Sequence, residues 1–359
     1  MYAIILGFLT AFTLTYFAIP SIIGISKEKH LFDEPNDRSS HKVKTPSLGG
    51  IAIFAGVLFS VVLWTPFNDF GSLQYILCAF LIIFLIGAKD DISPISPSKK
   101  MIGQILAASI LVFKSDIIFA SMYDLFGLQD QLGYAFHVLL SIFTIFVIIN
   151  AFNLIDGING LAGSVGALIA GTLGCWFFLT DHIEFAIVAF ATVGAVIAFL
   201  KYNYTPAKIF MGDTGAMLIG IVCAILVIKF IHMNYMMPAG EPFKFYASPA
   251  VAFGIMIIPL FDTLRVFTTR ILRGHSPFHA DRRHIHHLLI DYGFSHMQAT
   301  TILVLVNILF IVFVFTLHDK MELHLLFFSI LGLAATLTLW LHLAVMRSKK
   351  IDPQVSQSS

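Results

Sequence analysis

Long apolar stretches recur along this chain, at about 2–25, 48–66, 73–88, 101–120, 133–152, 160–180, 184–200, 214–232, 248–268, 299–317 and 324–346. A helix needs about 20 mostly apolar residues to cross a bilayer. Within hydrocarbon, only helices and closed barrels satisfy every backbone polar group. Continuous runs of this length predict helices, so the chain reads as an all-α polytopic membrane protein with about eleven spans. Composition agrees: 58% of residues are hydrophobic and 12% charged, with a mean hydropathy of +0.87. A soluble domain carries roughly a quarter charged residues. Met1–Ile25 is apolar from its second residue and has neither a basic leader nor a small-residue cleavage site, so it is expected to be a retained span. Residues 1–346 are expected to form one transmembrane domain, followed by a polar, disordered tail at 347–359. No repeat marks two transporter halves.

Basic residues set the orientation. Lys27, Lys29, Arg38, Lys42, Lys44, Lys89, Lys99, Lys100, Lys201, Lys208, Arg270, Arg273, Arg282, Arg283, Arg347, Lys349 and Lys350 fall on one set of connections. Lys114, Lys244 and Lys320 fall on the other. The first set is therefore expected to be cytoplasmic, with the N-terminus outside and the C-terminus inside. Loops 26–47, 89–100, 150–160, 201–213 and 269–298 share that side. A net charge of +1 gives no basic face for nucleic acid. Cys78, Cys175 and Cys223 lie inside apolar runs without metal spacing and read as buried free thiols.

Acidic residues concentrate where spans meet the cytoplasmic side. Ionisable groups at such positions are costly to desolvate and point to function. Asp90 and Asp91 follow the third run, before Pro94, Pro97, Lys99 and Lys100. Paired carboxylates bind a hard cation or raise one another's pKa, and the lysines can hold phosphate as point charges. Asn150, Asn153, Asp156 and Asn159 recur in steps of three, which would place them on one helix face. The same stripe could also be a packing seam glued by amides, with Gly157, Gly160 and Gly163 close by. That seam accounts poorly for Asp156.

Asn203 and Phe210 precede Gly212-Asp213-Thr214-Gly215. Asp213 could cap the next helix. Alternatively it could hold Mg²⁺ against a phosphate at the helix N-terminus. The segment His275–His287 holds His279, Asp281, Arg282, Arg283, His284, His286 and His287. It lacks the helical pairing and cysteines of a zinc site; its cations suit an anion, with arginine forking onto diphosphate. Pro35–Gly50 reads as a polar loop leading into a glycine-started helix. The clusters together suggest a Mg²⁺-dependent, cytoplasm-facing site for a phosphorylated substrate.

Lys-Asp90-Asp91, Asn-Ala-Phe-Asn153-Leu-Ile-Asp156-Gly, Phe-Met-Gly-Asp213-Thr-Gly and His279-Ala-Asp281-Arg282 occur in the order seen in a known family. Over about residues 30–300 the chain resembles the polyprenyl-phosphate N-acetylhexosamine-1-phosphate transferases, and its His-Ala-Asp-Arg version is similar to their WecA/TagO-type branch. The resemblance implies attack of undecaprenyl phosphate on a UDP-N-acetylhexosamine, with UDP-GlcNAc the expected donor and UDP-QuiNAc or UDP-FucNAc the alternatives. UMP would leave a lipid-diphosphate sugar, the first lipid-linked step of a cell-surface polysaccharide such as O-antigen or teichoic acid. It further implies Mg²⁺ (or Mn²⁺) on Asn153 and Asp213, and a role for Asp90 and Asp91 at the lipid phosphate or behind the metal. Asp156 and Asn203 would lie near the nucleotide, together with Asn150, and Phe210 would stack on uracil. His279 and Arg282 would hold diphosphate or sugar, and Lys44, Lys99 and Lys100 would hold phosphate. The setting would be the bacterial inner membrane, with a homodimer as an allowed assembly. Many relatives carry Asp where this chain has Asn159, so a charge is not required there. The rival from another class is an ion-coupled transporter, which would place its acids near the midplane.

Overall fold

The computed structural model describes residues 1–32, 44–121, 123, 125, 133–274 and 283–351. Its elements are α1 (Tyr2–Glu28), α2 (Gly49–Trp64), α3 (Leu73–Ile92), α4 (Pro97–Lys114), α5 (Tyr134–Ile155), α6 (Leu161–Leu179) and α7 (Ile183–Asn203). After these come α8 (Gly212–Met236), α9 (Ser248–Ile255), α10 (Ile257–Leu272), α11 (Ile285–Tyr292), α12 (His296–Leu317) and α13 (Leu323–Ile351). No strand occurs among the described residues, and the chain is a multi-pass helical membrane protein. Among the described residues, seven helices are long and apolar enough to cross a membrane, or eight if a bent pair counts as one. All eleven stretches read from the sequence are helical, but α2, at 16 residues, is short. The stretch 248–268 is not one straight span: it breaks at Met256 into α9 and α10, bent by 85°.

Helix α8 is the central post. Its apolar stretch is wholly enclosed, and it packs against α2, α3, α5, α6, α7 and α9. Small residues let its N-terminal end sit this deep. A Cβ on Gly50 of α2 would lie 2.1 Å from the Gly215 nitrogen, and one on Gly87 of α3 would lie 2.5 Å from the Thr214 Cα. Such close backbone approach is how membrane helices gain packing when no hydrophobic effect separates them from lipid. Polar seams add to it. Thr15 Oγ1 donates to the Ala52 carbonyl at 3.2 Å, and Trp64 Nε1 donates to Thr10 Oγ1 at 2.9 Å. The exterior carries Leu9, Phe59, Leu85, Phe143, Leu309 and Trp340, as a lipid-facing surface should. The three cysteines are free. Cys223 is buried, but Cys78 and Cys175 point outward from apolar helices, so burial does not hold for all three.

Candidate active site

Three chain segments meet where α8 begins. The first is the stretch before α2, whose Pro46 carbonyl accepts from Phe210 N at 2.7 Å. Gly49 N and Gly50 N donate to the Phe210 and Met211 carbonyls at 3.0 and 2.8 Å. The described end of the segment that read as a polar loop thus forms a wall, holding Ser47 at the cleft. The second is the C-terminal end of α3. Asp91 Oδ1 accepts from Asp213 N at 2.7 Å, while its Oδ2 accepts from Thr214 N at 3.1 Å and Thr214 Oγ1 at 2.6 Å. The first turn of a helix carries orphan N–H groups, and here a carboxylate from another helix satisfies them. Asp213 is therefore not the cap of α8. Gly212 holds φ +71°, and a Cβ there would lie 2.1 Å from the Ser47 carbonyl oxygen and 2.7 Å from the Asp91 carboxylate. Only glycine fits that turn.

The third segment is the end of α5. Asn150 and Asn153 lie on the helix, but α5 stops at Ile155, so Asp156 and Asn159 do not continue the stripe. The turn is pinned instead by Asn203, which is 6% exposed: its Oδ1 accepts from Gly160 N at 2.7 Å and its Nδ2 donates to the Ile209 carbonyl at 2.9 Å. Asn159 Nδ2 donates to Thr205 Oγ1 at 2.9 Å.

These segments enclose a cleft of about 520 Å³ lined by Phe32, Ser47, Asp90, Asp91, Asn153, Asp156, Asn203, Phe210 and Asp213, among others. The fold thus brings together residues spread over more than a hundred positions. Lys100 stands behind this lining. Its Nζ is 3.3 Å from Asp90 Oδ2 and is ion-paired with Asp213 Oδ2. Asn153, with its amide oxygen turned to that ammonium, accepts from Lys100 Nζ at 2.9 Å and donates to Asp213 Oδ1 at 3.0 Å; a carboxylate and an ammonium as neighbours fix this orientation. Asp90 Oδ1 also accepts from Ile95 N at 2.8 Å, in the turn between α3 and α4. Burial raises the Asp91 carboxyl to about 6, against the hydrogen bonds from Thr214. Burial, with the nearby Asp91 charge, raises Asp156 to about 7.

Other expected residues stand apart. Asn150 Nδ2 donates to Gln104 Oε1 at 2.9 Å and to the Phe146 carbonyl at 2.8 Å, in a seam between α4 and α5. Lys44 and Lys99 are exposed and do not line the cleft. His279 and Arg282 lie outside the described residues.

A second network was not legible in the sequence, because Asp262 is embedded in an apolar run. It is 2% exposed and accepts from His284 Nδ1 at 2.9 Å, Arg265 Nη2 at 2.7 Å and Ile285 N at 3.1 Å. It ties the histidine-rich segment to α10. His286, buried and held neutral by that burial, stacks with His284 and lies against Gly157, beside Asp156. Among the described residues no group of three or more His, Cys, Asp or Glu is arranged to hold a metal.

Carboxylates, amides and a lysine thus gather at one end of the apolar helices. The model of glycosyl transferase family 4 matches residues 73–231, which include Asp90, Asp91, Asn153, Asp156, Asn203, Phe210 and Asp213. The chain is 31% identical over 285 residues to the undecaprenyl-phosphate alpha-N-acetylglucosaminyl 1-phosphate transferase of Escherichia coli (strain K12), covering 78% of this chain and 75% of that one. The Yersinia pestis protein of the same name is 31% identical over 279 residues, covering 77% and 73%. The decaprenyl-phosphate N-acetylglucosaminephosphotransferase of Mycobacterium tuberculosis is 31% identical over 318 residues, covering 83% and 78%. The chain belongs to this glycosyl transferase family, the enzymes that transfer a sugar 1-phosphate to a polyprenyl phosphate.

Proposed function

We propose that this enzyme transfers N-acetylglucosamine 1-phosphate from UDP-GlcNAc to undecaprenyl phosphate, giving undecaprenyl-diphosphate-GlcNAc and UMP. The supporting observation is the convergence of Asp90, Asp91, Asn153, Asp156 and Asp213 on one cleft at the ends of apolar helices, in a chain whose curated relatives carry that activity in their names. The transporter reading is not supported. An oxygen of the lipid phosphate attacks the phosphorus bonded to the sugar, the bond to the bridging oxygen breaks, and that oxygen leaves on UMP. One substrate lies in the bilayer and the other in water, so a cleft at the helix ends lets them meet. The excess of Lys and Arg in the connections at this end supports a cytoplasmic orientation, in the inner membrane.

The donors present suit Mg²⁺. Asp213 and Asn153 offer hard oxygens, both directed at a cation, the Lys100 ammonium. Magnesium uses one or two protein ligands together with substrate phosphates. When bound there, the ion would neutralise charge on the diphosphate. Asp91 holds the start of α8, and so Asp213, in place. Asp90 fixes the α3–α4 turn and the Lys100 ammonium. A phosphate dianion needs little help from a base at neutral pH, so positioning and electrostatics carry the step. Phe210 offers a face for uracil at the cleft wall, and Asn203 shapes that wall from behind.

The test is turnover of UDP-GlcNAc and undecaprenyl phosphate by purified enzyme, with and without EDTA. Release of UMP that stops on chelation is expected. Release of UDP, or turnover indifferent to EDTA, would overturn this reading. A panel of UDP-N-acetylhexosamines in the same assay checks the sugar.

A further inference from the structure

Lys100 carries a formal charge to the point where the metal ligands converge. Its ammonium contacts Asp213 Oδ2, lies 2.9 Å from the Asn153 amide oxygen and sits 3.3 Å from Asp90 Oδ2. The lysine side chain is 15% exposed, and Asp90 and Asp213 are 16% and 28% exposed. These contacts join four side chains from α3, α4, α5 and α8. Among the described residues that line the cleft, none is a lysine or arginine.

Like charges at contact distance repel strongly where water screens them poorly, and a divalent ion doubles that repulsion. An ammonium and a divalent cation therefore cannot share one carboxylate oxygen and one amide oxygen at contact distance. The ammonium also balances the charge of the two carboxylates it touches. Without it, Asp90 and Asp213 would stand close together with like charges, partly shielded from water.

We propose that Lys100 is the counter-ion of the Asn153–Asp213 seat and exchanges with the divalent cation. The ammonium and the metal occupy the Asn153–Asp213 seat in turn. In the unloaded enzyme Lys100 holds both ligands in their binding arrangement. When the metal enters, the ammonium is displaced from Asp213 and becomes available to phosphate oxygens in the cleft. The exchange rests on the metal reading given above.

The exchange makes an unusual demand, namely that removing this lysine tightens metal binding while weakening catalysis. Mn²⁺ binding to the full-length enzyme in detergent, without substrate, is measured by the electron paramagnetic resonance of free Mn²⁺. Lys100→Gln is expected to lower the Mn²⁺ Kd by on the order of tenfold or more, although its turnover falls. Lys99→Gln removes the same charge from an exposed neighbour and is expected to change Kd by less than about twofold. Lys100→Arg, which keeps the charge, is expected not to tighten binding, and Lys100→Met provides a second charge-removing variant if the glutamine protein does not fold. Asp213→Asn is expected to lose the ion. If the lysine-free variants bind Mn²⁺ no tighter than wild type while Asp213→Asn loses it, the metal seat stands and the exchange is overturned. If neither wild type nor the lysine-free variants bind Mn²⁺, or Asp213→Asn binds it unchanged, the metal reading fails and the exchange fails with it.

Discussion

Asp213 is the residue on which most of the chemistry converges. It sits in the first turn of α8, with its backbone N–H on Asp91 and its side chain on Lys100 and Asn153. Asp213→Asn keeps the size and removes the charge, and a loss of turnover on the order of 10²–10³ is expected with unfolding temperature little changed. Activity near wild type would remove Asp213 from the metal site. Asp156 makes a second prediction, about pH. Its folded carboxyl titrates near 7 instead of the ordinary 3.8, because burial disfavours the charge. The folded state thus holds a proton that the unfolded chain has released. The stability linked to that proton is fully present below about pH 4 and is lost as pH rises through about 7. The unfolding temperature of the metal-free enzyme should therefore fall between about pH 4 and 7 and level off above that, and Asp156→Asn should flatten the fall. A slope unchanged in the variant would place the proton elsewhere. At Gly212, φ +71° and the crowding against Ser47 and Asp91 predict that Gly212→Ala costs roughly 1–2 kcal/mol or more, read as a lower unfolding temperature.

At the scale of elements, the start of α8 is the joint of the molecule. Asp91 reaches across from α3 to satisfy two backbone N–H groups and one hydroxyl. Asp91→Ala leaves those donors unsatisfied in a partly buried place, at a cost of about 1–3 kcal/mol. Both unfolding temperature and turnover should drop, and a stable but inactive Asp91→Ala would point instead to direct contact with substrate. The elements also explain which residues the sequence revealed. Asn150 and Asn153 share a helix, yet α5 ends before Asp156, so a spacing of three carried past a helix end loses its meaning. Asn150 serves the α4–α5 seam, and Asn153, one turn later, faces the cleft. Lys99 and Lys100 are neighbours in sequence, but α4 exposes the first and tucks the second behind Asp90 and Asp213. Adjacent residues on a helix point about 100° apart, and only the packing of α4 against α3 and α5 decides which one is used.

For the whole molecule, the pattern of basic connections predicts that the cleft end faces the cytoplasm. Single cysteines at Ser93 and at Lys320, in a background with the three native cysteines replaced, test this with a membrane-impermeant thiol reagent. In intact cells Lys320→Cys should label and Ser93→Cys should not; the opposite pattern would invert the topology. The helical class, the positions of the long apolar helices and the clustering of acids at their ends were all written in the sequence. A 20-residue apolar run in lipid has one backbone solution, and charges at its ends stand out against it. The 85° break at Met256 was not legible, since both halves are equally apolar, and neither was Asp262, one acid within such a run. Tertiary structure alone decided that Asp91 caps a helix it does not belong to and that Lys100 reaches Asp213, 113 residues away. It also decided that Asn203 braces a wall. Hydropathy is a property of one segment against its solvent and can be read locally. A site is a set of distances between segments, and those exist only once the helices have packed.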